Sequence, residues 1–121
     1  MGYPGSYIDN LALADRTLGL LVNGIAHTPR AAETTIVVSS DHSWRLPMWR
    51  NEQGWTAEDE LASRGEAMDP RPVLLVHFPG ERGAAQVTAP FPLIRMHAML
   101  QELIDARIAS PESLRTWTDA H

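Results

Sequence analysis

The sequence of 121 residues contains no cysteine and no lysine. Without cysteine, the chain can form no disulfide bond, thiolate metal site or cysteine nucleophile of its own. All ten basic residues are arginine, against fifteen acidic residues, and the formal net charge is -5. Because no basic stripe is present, we expect no nucleic-acid partner. No apolar run approaches the roughly 20 residues of a membrane helix, so we expect no membrane segment, and no signal peptide after Met1.

Hydrophobic residues make up 44% of the chain, which indicates a globular protein of at most one domain. From Tyr7 to His27, apolar residues recur at three- and four-residue steps, the period of one helix face. This pattern predicts a helix over residues 7–24. Ser6 or Asp9 is its expected N-cap, and Gly24 or the following Thr28-Pro29 pair is its expected end.

Two β-branched, nearly continuous apolar runs predict strands at residues 35–39 and 73–78. Such runs are typical of strands covered on both faces, so we expect parallel, adjacent or near-adjacent strands. Pro79-Gly80 should stop the second strand. A further helix is predicted at 92–107, and Ser110 with Pro111 predicts the start of another. The predicted fold class is α/β, with parallel-type strands flanked by helices.

The polar stretch between the two strands contains Trp44, Trp49 and Trp55. These tryptophans either wall a substrate pocket or pack the loop against a part of the domain that lies outside this chain. Within the same stretch, Thr56 precedes Asp59 by three residues, the spacing of a helix capping box. We expect a short helix here, with its acidic residues at 58–60 in water.

Asp41 and His42 follow the first predicted strand directly. In open α/β sheets, ligands gather beyond the carboxyl ends of the strands. A carboxylate oxygen and an imidazole nitrogen suit Zn or Mn, and Ca with more oxygen ligands. The alternative is that the pair only caps the end of the strand.

The order of these motifs resembles the C-terminal part of the sulfatase-like branch of the alkaline phosphatase superfamily. The resemblance lies in four stretches, in chain order: Asp15-Arg16-Thr17-Leu18-Gly19, Ser40-Asp41-His42, Arg71-Pro72-Val73-Leu74 and Pro79-Gly80. It implies an alkaline-phosphatase-like three-layer fold, with 43–70 as a variable loop containing a short helix. We therefore expect residues 1–121 to be a C-terminal fragment of such a catalytic domain. The missing N-terminal half would supply the nucleophile and further metal ligands.

The same resemblance implies that Asp41 and His42 bind the divalent metal ion, which we leave open as Ca, Mn or Zn. Ser43 stands where the family has glycine, and the family's oxyanion-binding lysine has no counterpart. Arg45 or Arg50 is a candidate for that role, because a guanidinium pairs bidentately with such groups.

Two classes of function remain open. The first is a metal-dependent hydrolase or transferase acting on a small-molecule, glycan or lipid ester of sulfate or phosphate. The second is a non-catalytic α/β binding or scaffold module. In either case we expect the isolated chain to be inactive and to expose a large apolar surface. His77 is expected in the core, and His97 at a helix surface or in packing.

Overall fold

The computed structural model describes residues 6–63, 71–81 and 84–120. These residues divide into two units. The first contains the described residues as far as Ala31 and those within Val38–Leu75. The second contains Ala32–Val37 and the described residues from Val76 onward. The helices and strands, in chain order, are α1 (Tyr7–Ala26), β1 (Ile36–Ser39), α2 (Leu46–Trp49), α3 (Ala57–Ser63), β2 (Leu74–His77), α4 (Met96–Ile104) and α5 (Pro111–Ala120).

Helix α1 begins with a capping box. The Ser6 hydroxyl accepts from the Asp9 N–H at 3.1 Å, and the Asp9 carboxylate accepts from the Ser6 N–H at 3.1 Å. This arrangement satisfies two of the N–H groups that a helix start leaves without partners. The helix continues past Gly24 and is capped by His27, so it ends two residues later than predicted.

Helix α3 has the predicted capping box, in which the Asp59 carboxylate accepts from both the N–H and the hydroxyl of Thr56. The other carboxylate oxygen accepts from the Ile8 N–H of α1 at 2.9 Å. Asp59 is fully buried, so the prediction that this acidic run lies in water was wrong for its central residue. The sequence also predicts that Gly65 ends this helix. Residues 64–70 of the predicted variable loop, with Gly65 among them, lie outside the described residues.

The prediction of parallel strands was wrong, because β1 and β2 form a two-stranded antiparallel sheet. The Ser40 N–H, just after β1, donates to the carbonyl of Val73, just before β2, at 3.0 Å. The Val73 N–H donates to the Ser40 hydroxyl at 2.8 Å. The end of β1 therefore lies beside the start of β2. Apolar runs indicate burial, but they carry no information on strand direction.

The strands are also less covered than predicted. In β2, exposure alternates along the strand, and Leu75 and His77 are on the exposed side. This is the pattern of an antiparallel strand with one solvated face. The expected core position of His77 was therefore wrong. The turn after β2 is as predicted: Gly80 has a φ of 79°, a conformation that glycine adopts without steric cost.

In the second unit, Phe78, Met99 and Ile108 are buried. Helix α4 starts later than the predicted 92–107, because a 3-10 turn, Leu93–Arg95, precedes it. It also ends earlier than predicted, at Ile104. Helix α5 starts at Pro111, and the Ser110 hydroxyl accepts from the Ser113 N–H at 3.1 Å, as its sequence predicted.

The described residues bury few large apolar side chains. Only four hydrophobic residues are buried there, whereas fourteen large ones are exposed. Five of the exposed ones lie on α1, which has no buried residue: Leu11, Leu13, Leu20, Leu21 and Val22. Exposed apolar side chains are thus present on this helix, and the large apolar surface for a missing half of the domain stays a prediction. No helix among the described residues combines the length and apolar character needed to cross a bilayer.

The mixed helix and strand content confirms the coarse fold class. The alkaline-phosphatase-like three-layer fold is not confirmed, and its parallel pairing is replaced by an antiparallel one.

Candidate metal centre

The backbone immediately before Asp41 is fixed by the sheet. Both hydrogen bonds between Ser40 and Val73 lie at the end of β1, one residue before the candidate ligands. The chain then bends, and Asp41 and His42 follow each other outside the strand. Because the regular alternation of a strand no longer applies at a bend, adjacent side chains can point to one place.

The structure brings the two candidate ligands together. Asp41 Oδ1 and His42 Nε2 are 3.7 Å apart. Two ligands on one ion, with bonds of about 2.0–2.2 Å, lie roughly 3.0–3.5 Å apart. The observed separation is therefore close to that of two neighbouring ligands on one cation. Both side chains are open to solvent, with 90% exposure for Asp41 and 41% for His42.

The imidazole of His42 is oriented by its own backbone neighbour. His42 Nδ1 lies 2.7 Å from the carbonyl oxygen of Ser43. A carbonyl oxygen only accepts, so Nδ1 must carry the hydrogen. In the neutral ring, Nε2 then has a free lone pair facing Asp41. A hydrogen bond from the second ring nitrogen to a carbonyl is the usual way in which proteins orient a metal-binding histidine.

The pair by itself is too small to form a coordination shell. Among the described residues, no group of three or more histidine, aspartate or glutamate side chains could hold an ion together. Structural zinc sites use about four ligands and calcium sites roughly six to eight. Asp41 and His42 thus fit two adjacent positions of a site, and not a complete site.

The two candidate oxyanion-binding arginines differ in their surroundings. The Arg50 guanidinium donates to both carboxylate oxygens of Glu60 at 3.0 Å, and to the Ser63 hydroxyl at 3.1 Å. The hydrogen bonds that Glu60 accepts from Arg50, and next the one that it accepts from Trp55, hold the pKa of Glu60 below its usual value. Arg50 is therefore already bound to a carboxylate. Arg45 is exposed, and its side chain forms no ion pair within the described part of the chain.

Trp44, two residues after His42, belongs to an aromatic cluster of four residues: Tyr7, Trp44, Trp49 and Trp55. The Tyr7 and Trp44 rings stack at a centroid distance of 4.8 Å. Trp49 contacts Tyr7 at 5.5 Å, and Trp55 contacts Trp44 at 6.1 Å. These contacts attach the loop to the start of α1. The two predicted roles of the tryptophans, as a pocket wall or as packing against a part outside this chain, stay predictions. Burial raises the pKa of Tyr7.

Among the described residues, neither His27 nor His97 forms a group of metal ligands with Asp41 and His42. His27 Nδ1 lies 2.7 Å from the Asn23 carbonyl oxygen, at the end of α1. His97 is exposed on α4, in agreement with its predicted place on a helix.

Comparisons with protein-family models, curated proteins and solved structures found no match to this chain. The resemblance to sulfatase-like enzymes therefore rests on the sequence motifs alone.

Proposed function

We propose that Asp41 and His42 bind a divalent cation and belong to a metal-dependent hydrolase or transferase acting on sulfate or phosphate esters. The observation that supports this proposal is the 3.7 Å separation of a carboxylate oxygen and an imidazole nitrogen. The orientation of the ring by the Ser43 carbonyl adds to it. The proposal assigns the remaining ligands and the nucleophile to residues outside those described.

The residues of this chain have defined tasks in the proposed site. Asp41 contributes negative charge, and His42 contributes a neutral nitrogen whose direction is fixed by its Nδ1–H. When bound, the cation neutralises charge on the transferred group and activates the nucleophile. Arg45 is close in sequence and is the proposed contact for the oxyanion.

Titration of the chain with MnCl₂, ZnCl₂ and CaCl₂ tests the cation site. Backbone and imidazole NMR signals of residues 41–43 should respond, and Mn²⁺ should broaden them selectively. Two ligands bind weakly, so we expect dissociation constants on the order of 10⁻⁴–10⁻³ M, similar to those of weak calcium modules. Asp41→Asn and His42→Gln should each abolish the selective response.

His77→Gln is the matched control, because His77 is also exposed and is the last residue of a strand. It should leave the response unchanged. Equal broadening of all histidines in the original chain would contradict the cation site. Activity is tested separately, with sulfate and phosphate esters and the natural gene product. If Asp41→Ala and His42→Ala products lose the cation but keep full turnover, the enzymatic proposal fails.

The second candidate function, a non-catalytic binding or scaffold module, is favoured by the exposed apolar side chains of α1. If the protein as its gene encodes it binds the cation but hydrolyses no ester, that result would support this candidate over the enzyme.

A further inference from the structure

Arg95 occupies an unusual environment in the second unit. It is the last residue of the 3-10 turn Leu93–Arg95 and directly precedes α4. Its guanidinium carbon lies 4.7 Å from the ring centroid of Trp117 and 5.3 Å from that of Phe91. The two rings are only 6.2 Å apart, so they lie on adjacent sides of the guanidinium and do not enclose it. Its position is fixed by aromatic packing on these two sides, and the residue is half-buried.

One donor of the Arg95 side chain has no partner among the described residues. Its Nη2 is buried and has no hydrogen-bond partner. No carboxylate forms an ion pair with it in the part of the chain that the structure describes. By contrast, the guanidinium groups of Arg50 and Arg107 each form paired hydrogen bonds with a glutamate. A buried donor without an acceptor is costly, and the fold retains this one although acidic residues outnumber arginines.

Cation–π packing explains where Arg95 lies, but it does not use the five N–H donors in the plane of the guanidinium. The unused donors of the guanidinium favour a negative group at this place.

We propose that Arg95, supported by Phe91 and Trp117, binds an oxyanion: the carboxylate, phosphate or sulfate group of a ligand. The planar guanidinium would pair with two oxygens of that group. Because Nη2 is buried, the side chains around it would move aside to admit the anion, and Nη2 would then gain the acceptor it lacks. The aromatic rings restrict the side chain before binding, so less rotational freedom is lost when the anion binds. This inference is independent of the proposed cation site.

NMR of the ¹⁵N-labelled chain tests the site directly. Sodium sulfate, phosphate and acetate are titrated at constant ionic strength against sodium chloride, and the arginine Nε–Hε signals are followed. The Arg95 signal should shift and saturate with at least one of the oxyanions, whereas that of exposed Arg115 should not. The acetate arm separates planar carboxylates from tetrahedral anions. A non-saturating shift shared by all arginines would show screening only and overturn the proposal.

Two variants test the role of the guanidinium. Arg95→Gln should weaken the saturable binding at least about tenfold, because a charged donor pair is lost. Arg95→Lys keeps the charge and the contact with the rings but loses the planar fork, so its affinity should also fall. Arg115→Gln serves as the control and should bind as the original chain does. If Arg95→Lys retains full affinity, the proposed bidentate binding by Arg95 is wrong. This test remains valid if Arg95→Gln does not fold.

Discussion

At the scale of single residues, Asp59 joins two helices of the first unit. One oxygen of its carboxylate completes the cap of α3, and the other accepts from the Ile8 N–H at the start of α1. Burial by itself raises the pKa of Asp59. The hydrogen bonds from Ile8, Thr56 and Tyr7 outweigh that effect, and the pKa lies below its usual value. One ionised side chain thus stabilises the starts of two helices.

The first prediction concerns the replacement of this carboxylate. Asp59→Asn should lower the free energy of unfolding by about 2–3 kcal/mol, because the amide carries no charge and offers one acceptor in place of two. Its NH₂ group would also face an N–H that needs an acceptor. Urea unfolding followed by circular dichroism measures the change. Glu58→Gln, at an exposed position of the same helix turn, should change the stability by no more than about 0.5 kcal/mol. If Asp59→Asn lowers the free energy of unfolding by no more than Glu58→Gln does, Asp59 does not stabilise the starts of both helices.

The second prediction follows from the pKa of Asp59. Because the folded state lowers this pKa, the ionised form contributes stability above the unfolded value of about 3.9. That contribution is lost as the pH falls through the folded value. The stability difference between the original chain and Asp59→Asn should therefore be constant near pH 7 and shrink below about pH 4. A difference that grows on acidification would show that the pKa is raised.

The sequence predicted half of this residue's role. The spacing from Thr56 to Asp59 is a local signal, and the capping box that it predicts is present. The contact with Ile8 joins residues 51 positions apart, and no local pattern identifies such a partner. For the same reason, the convergence of Asp41 and His42 could be predicted from adjacency, whereas the isolated Arg95 beside two rings could not.

At the scale of elements, helices were predicted better than strand pairing. The apolar period and the Ser6 cap defined α1 to within two residues of its end, because both are local features. The direction in which β1 and β2 pair depends on the path of the segment between them. Apolar content alone did not determine that path, and the parallel prediction failed.

The end of α4 offers a prediction at this scale. Ala106 has a φ of 56°, in the left-handed region, and the N–H groups of Arg107 and Ile108 both donate to the Glu102 carbonyl. Glycine usually occupies such a position. Ala106→Gly should therefore stabilise the chain by about 0.5–1 kcal/mol, since relief of the left-handed strain exceeds the entropic cost of glycine.

The matched control is an alanine-to-glycine substitution inside α4 itself, since Ala106 lies just after the end of this helix. Ala98→Gly should destabilise the chain by about 1 kcal/mol, because glycine is a poor helix former. Thermal unfolding of both variants measures the two shifts. Equal destabilisation by both would mean that Ala106 does not hold the left-handed conformation in solution.

At the scale of the whole molecule, the notable feature is the imbalance between buried and exposed apolar residues. In the described part of the chain, Leu46, Phe78, Met99 and Ile108 are the buried hydrophobic residues. The exposed apolar side chains of α1 lie on more than one face of the helix: Leu13 and Leu20 share one side, and Leu11 and Val22 lie on the opposite side.

The last prediction tests whether α1 is exposed in solution. Leu13 and Leu20 lie two helical turns apart and are 63% and 67% exposed. The double variant Leu13→Gln/Leu20→Gln should leave the stability within about 1 kcal/mol of the original, because surface changes are individually worth at most about 0.5 kcal/mol. It should also bind less of a hydrophobic dye and associate less in gel filtration. Met99→Ala, at a buried position, should instead cost about 2–5 kcal/mol and increase dye binding. If the leucine variant loses stability as Met99→Ala does, these leucines are buried in solution, and α1 packs against a surface of its own chain.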